Sequence, residues 1–151
     1  METLGNLAHQ GLGYAEVALC INRVAVGLFF AFSGYHKLFN RARHERFTRG
    51  LSALGIPFLR FNQWWVPANE FLAGAAVALG LFAPLATIPL FVICFIACYT
   101  DTCEKVEAMH PIDLADRVDD WLYTPEALYI VSLTVVVLAG PGAWALSNLF
   151  S

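Results

Sequence analysis

Apolar and polar positions fall in long blocks along this chain, not in short alternations, and the blocks have the length of membrane spans. The first runs over about 17–39 and holds an uncharged stretch from Val24 to Tyr35, closed by Arg23 on one side and Lys37 on the other. About 23 helical residues at ~1.5 Å each cross a hydrocarbon core of ~30 Å, and long basic side chains at the ends can snorkel to the two surfaces. Gly27, Ala31 and Gly34 recur at i, i+4 and i+7, one flat face on which a second helix can lie closely. The pattern predicts three further helices, over about 64–82, 85–100 and 125–139. The second opens on Trp64 and Trp65, an interfacial aromatic belt, and carries a small-residue stripe of Ala73, Gly74, Val77 and Ala78. Ala83-Pro84 reads as a very short turn that sets the third helix antiparallel to the second, with Pro89 in the early turns of that helix, where proline is best tolerated. Thr124-Pro125-Glu126 reads as N-cap, first-turn proline and first-turn acid of the fourth helix; Gly140-Pro141-Gly142 ends it and Trp144 anchors a tail.

The connections have a different pattern. In the first, Phe47, Leu51 and Leu54 share one helical face while Arg43, Arg46 and Arg49 lie on others, which predicts a helix over about 43–54 in the headgroup plane, stopped by Gly55 and Pro57. In the third, Leu114, Val118, Trp121 and Leu122 form a stripe beside Asp113, Asp116, Asp119 and Asp120, predicting a second interfacial helix over about 112–122. Basic and acidic connections face the same water layer, so ion pairs between them are expected, each worth ~0–1 kcal/mol if exposed. Residues 1–16 read as a short interfacial arm. The expected fold is all-α: an integral membrane four-helix bundle with short interfacial helices in its first and third connections, one unit over 1–151.

Composition agrees with the pattern and excludes a soluble domain. The chain is 58% hydrophobic and 14% charged, against roughly 25% charged in soluble domains. Among the lysines and arginines, Lys37, Arg41, Arg43, Arg46, Arg49 and Arg60 gather at the first connection and Lys105 and Arg117 at the third, leaving Arg23 toward the termini. The positive-inside rule then places the long connections in the cytoplasm and the termini outside; the location expected for the chain is a bacterial inner membrane. No basic n-region precedes the first apolar block, which is expected to be retained and not cleaved as a signal peptide. No C-x-x-C occurs, and Cys20, Cys94 and Cys98 sit in apolar runs as small hydrophobes. Phosphate loops, dinucleotide fingerprints and a G-x-S-x-G elbow are missing, and the basic stretch 41–49 suits a membrane surface at least as well as nucleic acid.

Glu70 is the most informative residue. A carboxylate inside a span costs several kcal/mol unless paired, and depth selects its partner. If the first helix ascends and the second descends, Glu70 sits ~9 Å below the top, level with Lys37 and His36, whereas Arg23 lies ~21 Å lower than Lys37. The expected polar layer is His36, Lys37, Asn69, Glu70, Tyr99 and Glu126. It reads as an ion pair fixing helix register, as a pocket for the polar head of a lipophilic ligand such as a quinone, or as a proton relay. Arg23 reads as an anchor for a lipid headgroup or a partner subunit. Cys103, Glu107 and His110, at i, i+4 and i+7, are a weak metal-ligand set, and no metal is expected.

These residues resemble the DoxX family of small four-helix membrane proteins. The likeness rests on Arg23 with Gly27, Ser33-Gly34-Tyr35-His36-Lys37-Leu38, Leu54-Gly55-Ile56-Pro57, Glu70 with Gly74 and Gly80, Glu126-Ala127-Leu128, and Gly140-Pro141-Gly142 before Trp144. It departs from the family's pattern at Ala83-Pro84, where an arginine is common, and at Ala145-Leu146-Ser147-Asn148, where many relatives close on Ser-Leu-Asp. The connection 101–124 is also longer than usual. The resemblance implies an accessory membrane subunit of a quinone-linked respiratory or sulfur- and thiol-oxidising assembly, or else a quinone-reducing subunit of the thiosulfate:quinone oxidoreductase type. A small permease ranks last. Quinone is the cofactor implied, and membrane lipid with a larger redox complex or further copies of the chain are the partners. Whether the chain is itself an enzyme is left open.

Overall fold

The computed structural model describes residues 14–149, apart from the side chains of Asp101 and Glu104. Helix α1 spans Ala15–Phe39, α2 Arg41–Ala53, α3 Leu59–Leu79 and α4 Ala83–Ala97; a π turn, Cys98–Thr102, leads into α5, Cys103–Ala108. Helix α6 covers Leu114–Leu122, α7 Pro125–Ala139, and a 3-10 turn Leu146–Leu149 follows. No strand occurs among the described residues. The arm expected over 1–16 lies mostly outside the described residues, and Ala15 and Glu16 already belong to α1.

The closest approach in the fold is between α1 and α3, which run antiparallel. A Cβ on Gly27 would stand 2.7 Å from the Gly74 carbonyl oxygen, one on Gly34 2.6 Å from the Pro67 oxygen, and one on Gly74 2.8 Å from the Gly27 oxygen. Seven residues up α1 match seven down α3, so the two backbones touch along a single register. Helix α3 packs in turn on α4, α4 on α7, and α7 back on α1. The core inside this ring is Val26, Phe30, Ala73, Val77, Ala83, Leu90, Cys94, Leu133 and Val136. Tyr129 of α7 stacks on Phe29 at 4.0 Å, and Asn22 donates to the Ser132 carbonyl at 3.0 Å, fixing α7 to α1.

Several boundaries differ from the sequence reading, each for a local reason. Helix α3 begins at Leu59, ahead of Trp64, because Phe58 takes a left-handed backbone (φ 53°) that redirects the chain into the helix. The α3–α4 turn is Gly80-Leu81-Phe82, not Ala83-Pro84. Gly80 caps α3 at φ 74°, Phe82 (φ 46°) starts the next helix, and Pro84 occupies its first turn. Asn40 caps α2 by accepting from Arg43 N–H, and Asp113 caps α6 by accepting from Asp116 N–H, two caps that shift those starts to Arg41 and Leu114. Thr124 is not a side-chain cap of α7; its hydroxyl donates backward to the Trp121 carbonyl at 2.7 Å.

The outer faces are apolar: Ile21, Phe32, Leu72, Leu85, Phe95, Leu128 and Leu138 are all exposed. Patches of that extent mark a surface that meets lipid. Ala15–Phe39 and the continuous Ala83–Ala108 are long and apolar enough to cross a membrane, and α6 with α7, bent by 68°, would make a third crossing if they form one span. The expected ion pairs between α2 and α6 do not form. Among the described residues the ion pairs are Lys37–Glu70 and Arg41–Glu45, and α6 makes its main contacts with its chain neighbours α5 and α7. The two connections lie at the same end of the ring of helices. The exposed Arg41 guanidinium holds the Glu45 carboxyl below its ordinary range through their hydrogen bond and charge.

The glycine contacts give the first test. Gly27→Val or Gly74→Val must drive α1 off α3 and lower thermal stability in detergent by about 1–3 kcal/mol or more, whereas Gly50→Ala, with nothing within 4 Å of the new methyl group, leaves it unchanged. Equal unfolding temperatures for all of these variants would remove the close approach as the organising contact.

Candidate functional site

Because α1 and α3 touch backbone to backbone, side chains one turn beyond the glycines meet at short range. Lys37 Nζ stands 2.7 Å from Glu70 Oε1 and 2.6 Å from Oε2, so one ammonium bridges both carboxylate oxygens. The Glu70 side chain is 4% exposed and that of Lys37 24%. Ser33, one turn before Lys37, donates to Glu70 Oε2 at 3.3 Å. Lys37 also lies 5.0 Å from the centroid of the Phe47 ring of α2, and His44 Nδ1 donates to the Lys37 carbonyl at 2.9 Å. The buried carboxylate is therefore fully partnered, and α2 is folded over the ammonium. In front of it a groove of about 520 Å³ opens to the surface, with Ser33, Lys37, Phe32 and Phe47 in its wall.

Of the six residues expected in the polar layer, the structure brings these two into contact. His36 is exposed and its Nδ1 donates to the Phe32 carbonyl. Asn69 turns back to donate to the Trp65 carbonyl at 2.8 Å. Tyr99 is 83% exposed, because it faces away from α3 and α7. Glu126 is half-buried at the start of α7, and its Oε2 is enclosed without a hydrogen-bond partner; Cys94, Cys98 and Tyr129 are within Coulombic range of it. Sequence reasoning missed Ser33 and Phe47. Ser33 was legible as the i−4 neighbour of Lys37 on one helix face, whereas Phe47 depends on how α2 folds back.

Arg23 corrects an expectation. It is 3% exposed and faces the interior, so it is not an anchor for lipid or a partner. Its guanidinium donates to the Pro141 carbonyl and, at 3.0 Å, to the Trp144 carbonyl. A Cβ on Gly80 would come within 2.7 Å of its Nη1. Gly80 caps α3 and Gly140 caps α7, so the C-terminal ends of both helices converge on the guanidinium. Their partial negative charge favours a cation there. Glu16, two turns before Arg23, accepts from Ala143 N–H at 2.7 Å, so the tail after α7 is held at two points.

The Cys103, Glu107 and His110 face does not form. Helix α5 ends at Ala108, and His110 takes φ 57° beyond it, turning its side chain off the helix. Among the described residues no group of three or more histidine, cysteine or carboxylate side chains is placed to hold a metal.

Both buried charges make measurable claims. Glu70→Gln leaves Lys37 without its counter-ion and is expected to cost about 3–5 kcal/mol, read as thermal unfolding in detergent, with partial recovery in the Lys37→Gln/Glu70→Gln double variant. Equal stability of Glu70→Gln and the unaltered chain contradicts the pairing. Arg23→Met removes charge-assisted bonds of about 1.5–3 kcal/mol each and is expected to make residues 141–149 the first site of limited proteolysis. A tail still resistant after that change would show that Arg23 does not hold it.

Comparison with curated proteins and with solved structures finds no match. The DoxX family model matches residues 18–101, more than half of the chain, from the first turn of α1 through α3 and α4 to the π turn. The matched stretch contains Arg23, Lys37 and Glu70, and the chain belongs to the DoxX family of membrane proteins.

Proposed function

We propose that the chain is a four-span subunit, one unit over 1–151, serving as the accessory membrane component of a quinone-linked redox assembly in a bacterial inner membrane. The observation that carries this reading is the closed Lys37–Glu70 pair. It lets α3 enter the membrane although Arg60, Asn62, Gln63, Asn69 and Glu70 lower its hydropathy, so that α1, α3, α4 with its extension, and α7 are four crossings. A carboxylate bound by one ammonium and one hydroxyl is suited to fixing helix register. It is less suited to turnover, which requires a group free to change partners. With four crossings, α2 and α5–α6 share one face, and the basic residues of α2 favour the cytoplasm for it. There α6 offers Asp119 and Asp120, which have no ion-pair partner among the described residues, beside the exposed Leu114, Val118 and Leu122. That surface suits a larger subunit.

The groove against Lys37 favours a second reading, a quinone-reducing subunit whose own pocket takes the quinone head. Purification in mild detergent separates the two. The accessory reading expects the chain to migrate with a larger redox complex and Asp119→Lys/Asp120→Lys to release it, still folded. A chain that runs at its own mass and holds quinone, lost in Glu70→Gln and Lys37→Ala, supports the second reading instead. A lone chain without quinone defeats both.

A further inference from the structure

The groove beside Lys37 has features that a neutral ligand head does not use. Arg43 and Arg46 of α2 stand one turn apart at its rim, both exposed, and neither guanidinium has an ion-pair partner among the described residues. Lys37 faces the same space, and its charge is balanced by Glu70. The rim therefore carries two uncompensated positive charges. Below it the wall is aromatic. Phe47 sits over Lys37, and Phe32 and Phe29 continue down α1, 58% and 43% exposed. From Lys37 to Phe29 is eight residues of α1, or ~12 Å toward the membrane centre. Cations thus lie at one end, and an open apolar track leads from them into the hydrocarbon.

We propose that this groove is a binding site for an acidic phospholipid. The phosphate lies between Arg43 and Arg46, within reach of the Lys37 ammonium, and an acyl chain runs down Phe32 and Phe29. A guanidinium pair recognises phosphate through charge-assisted hydrogen bonds, and basic residues at the headgroup level attract anionic lipid. Free phosphate would use the rim and ignore the track, and a zwitterionic lipid would fill the track with little net attraction at the rim. The bound lipid joins α2 to α1 on the outer side of the Lys37–Glu70 pair and limits water access to it. The site rests on the proposed placement of α2 in the headgroup layer.

The test uses the full chain purified in detergent, titrated separately with phosphatidylglycerol, phosphatidylcholine, inorganic phosphate and a short-chain quinone, and followed by native mass spectrometry and thermal unfolding. Phosphatidylglycerol is expected to bind about tenfold or more tightly than phosphatidylcholine, from two arginines acting together. Arg43→Gln/Arg46→Gln is expected to erase that preference without unfolding the chain. Phe32→Gln is expected to weaken phosphatidylglycerol and leave any phosphate response unchanged. Equal affinity for the two lipids, an unchanged preference in the double arginine variant, a full response to phosphate alone, or quinone displacing bound phosphatidylglycerol each overturns the site. A fluorophore on Gly50→Cys, read above the unaltered chain's background, separates the two levels of failure. A label in the headgroup layer with no lipid preference removes the site alone, and a label in bulk water removes the placement of α2 as well.

Discussion

The closeness of α1 to α3 sets the rest of the structure. Where Gly27, Gly34 and Gly74 put main chain against main chain, the helices have one register and no room for another. That register places Lys37 and Ser33 against Glu70 and sets α3 between α1 and α4. In lipid, helix association has little hydrophobic drive, and close packing of small residues supplies much of what holds spans together. The ion pair sits where the glycines bring the helices together: the register that sets Gly34 against Pro67 also sets Lys37 against Glu70.

Much of this was legible in the chain because it depends on local pattern. The small-residue face of α1, the apolar blocks and the start of α7 at Pro125 all follow from residue type and spacing. The level of Lys37 and Glu70 follows from helix rise and chain direction. What was not legible depends on contacts between distant segments or on single backbone angles. Phe58 and Phe82 adopt left-handed conformations that no propensity favours for a bulky residue, and these angles decide where α3 and α4 begin. Arg23 looked like a surface anchor because a lone cation at the end of an apolar run usually is one. Its burial becomes visible only when two helix ends and the tail meet around it.

The π turn at Cys98–Thr102 shows the same limit. One extra residue in a turn rotates everything after it relative to the helix before, and the positive φ of His110 just past α5 takes that residue off the face it would have shared with Cys103 and Glu107. The turn also separates Tyr99, left at the surface, from Cys98, which is buried toward Glu126. A six-member polar layer was inferred on the assumption that equal depth means contact. Depth gives the level of a side chain and says nothing of its azimuth, and in the structure Asn69, His36 and Tyr99 turn to their own backbone or outward.

The two buried charges are neutralised in different ways, and the difference bears on what each end of the molecule can do. Glu70 has a point counter-charge, an ammonium on a side chain that also borders the groove. Arg23 is held by the Pro141 and Trp144 carbonyls of the tail just past α7, beside the Gly80 cap of α3. The end that holds the start of α1 and the tail after α7 is therefore built to stay fixed, and variation in charge balance is confined to the end that carries α2, the groove and α6. That end also has Arg43, Arg46, Asp119 and Asp120, without ion-pair partners among the described residues. A protein that meets lipid and, on the proposed reading, a partner subunit at one surface, without disturbing its own packing, needs this division between a clamped end and an adjustable one.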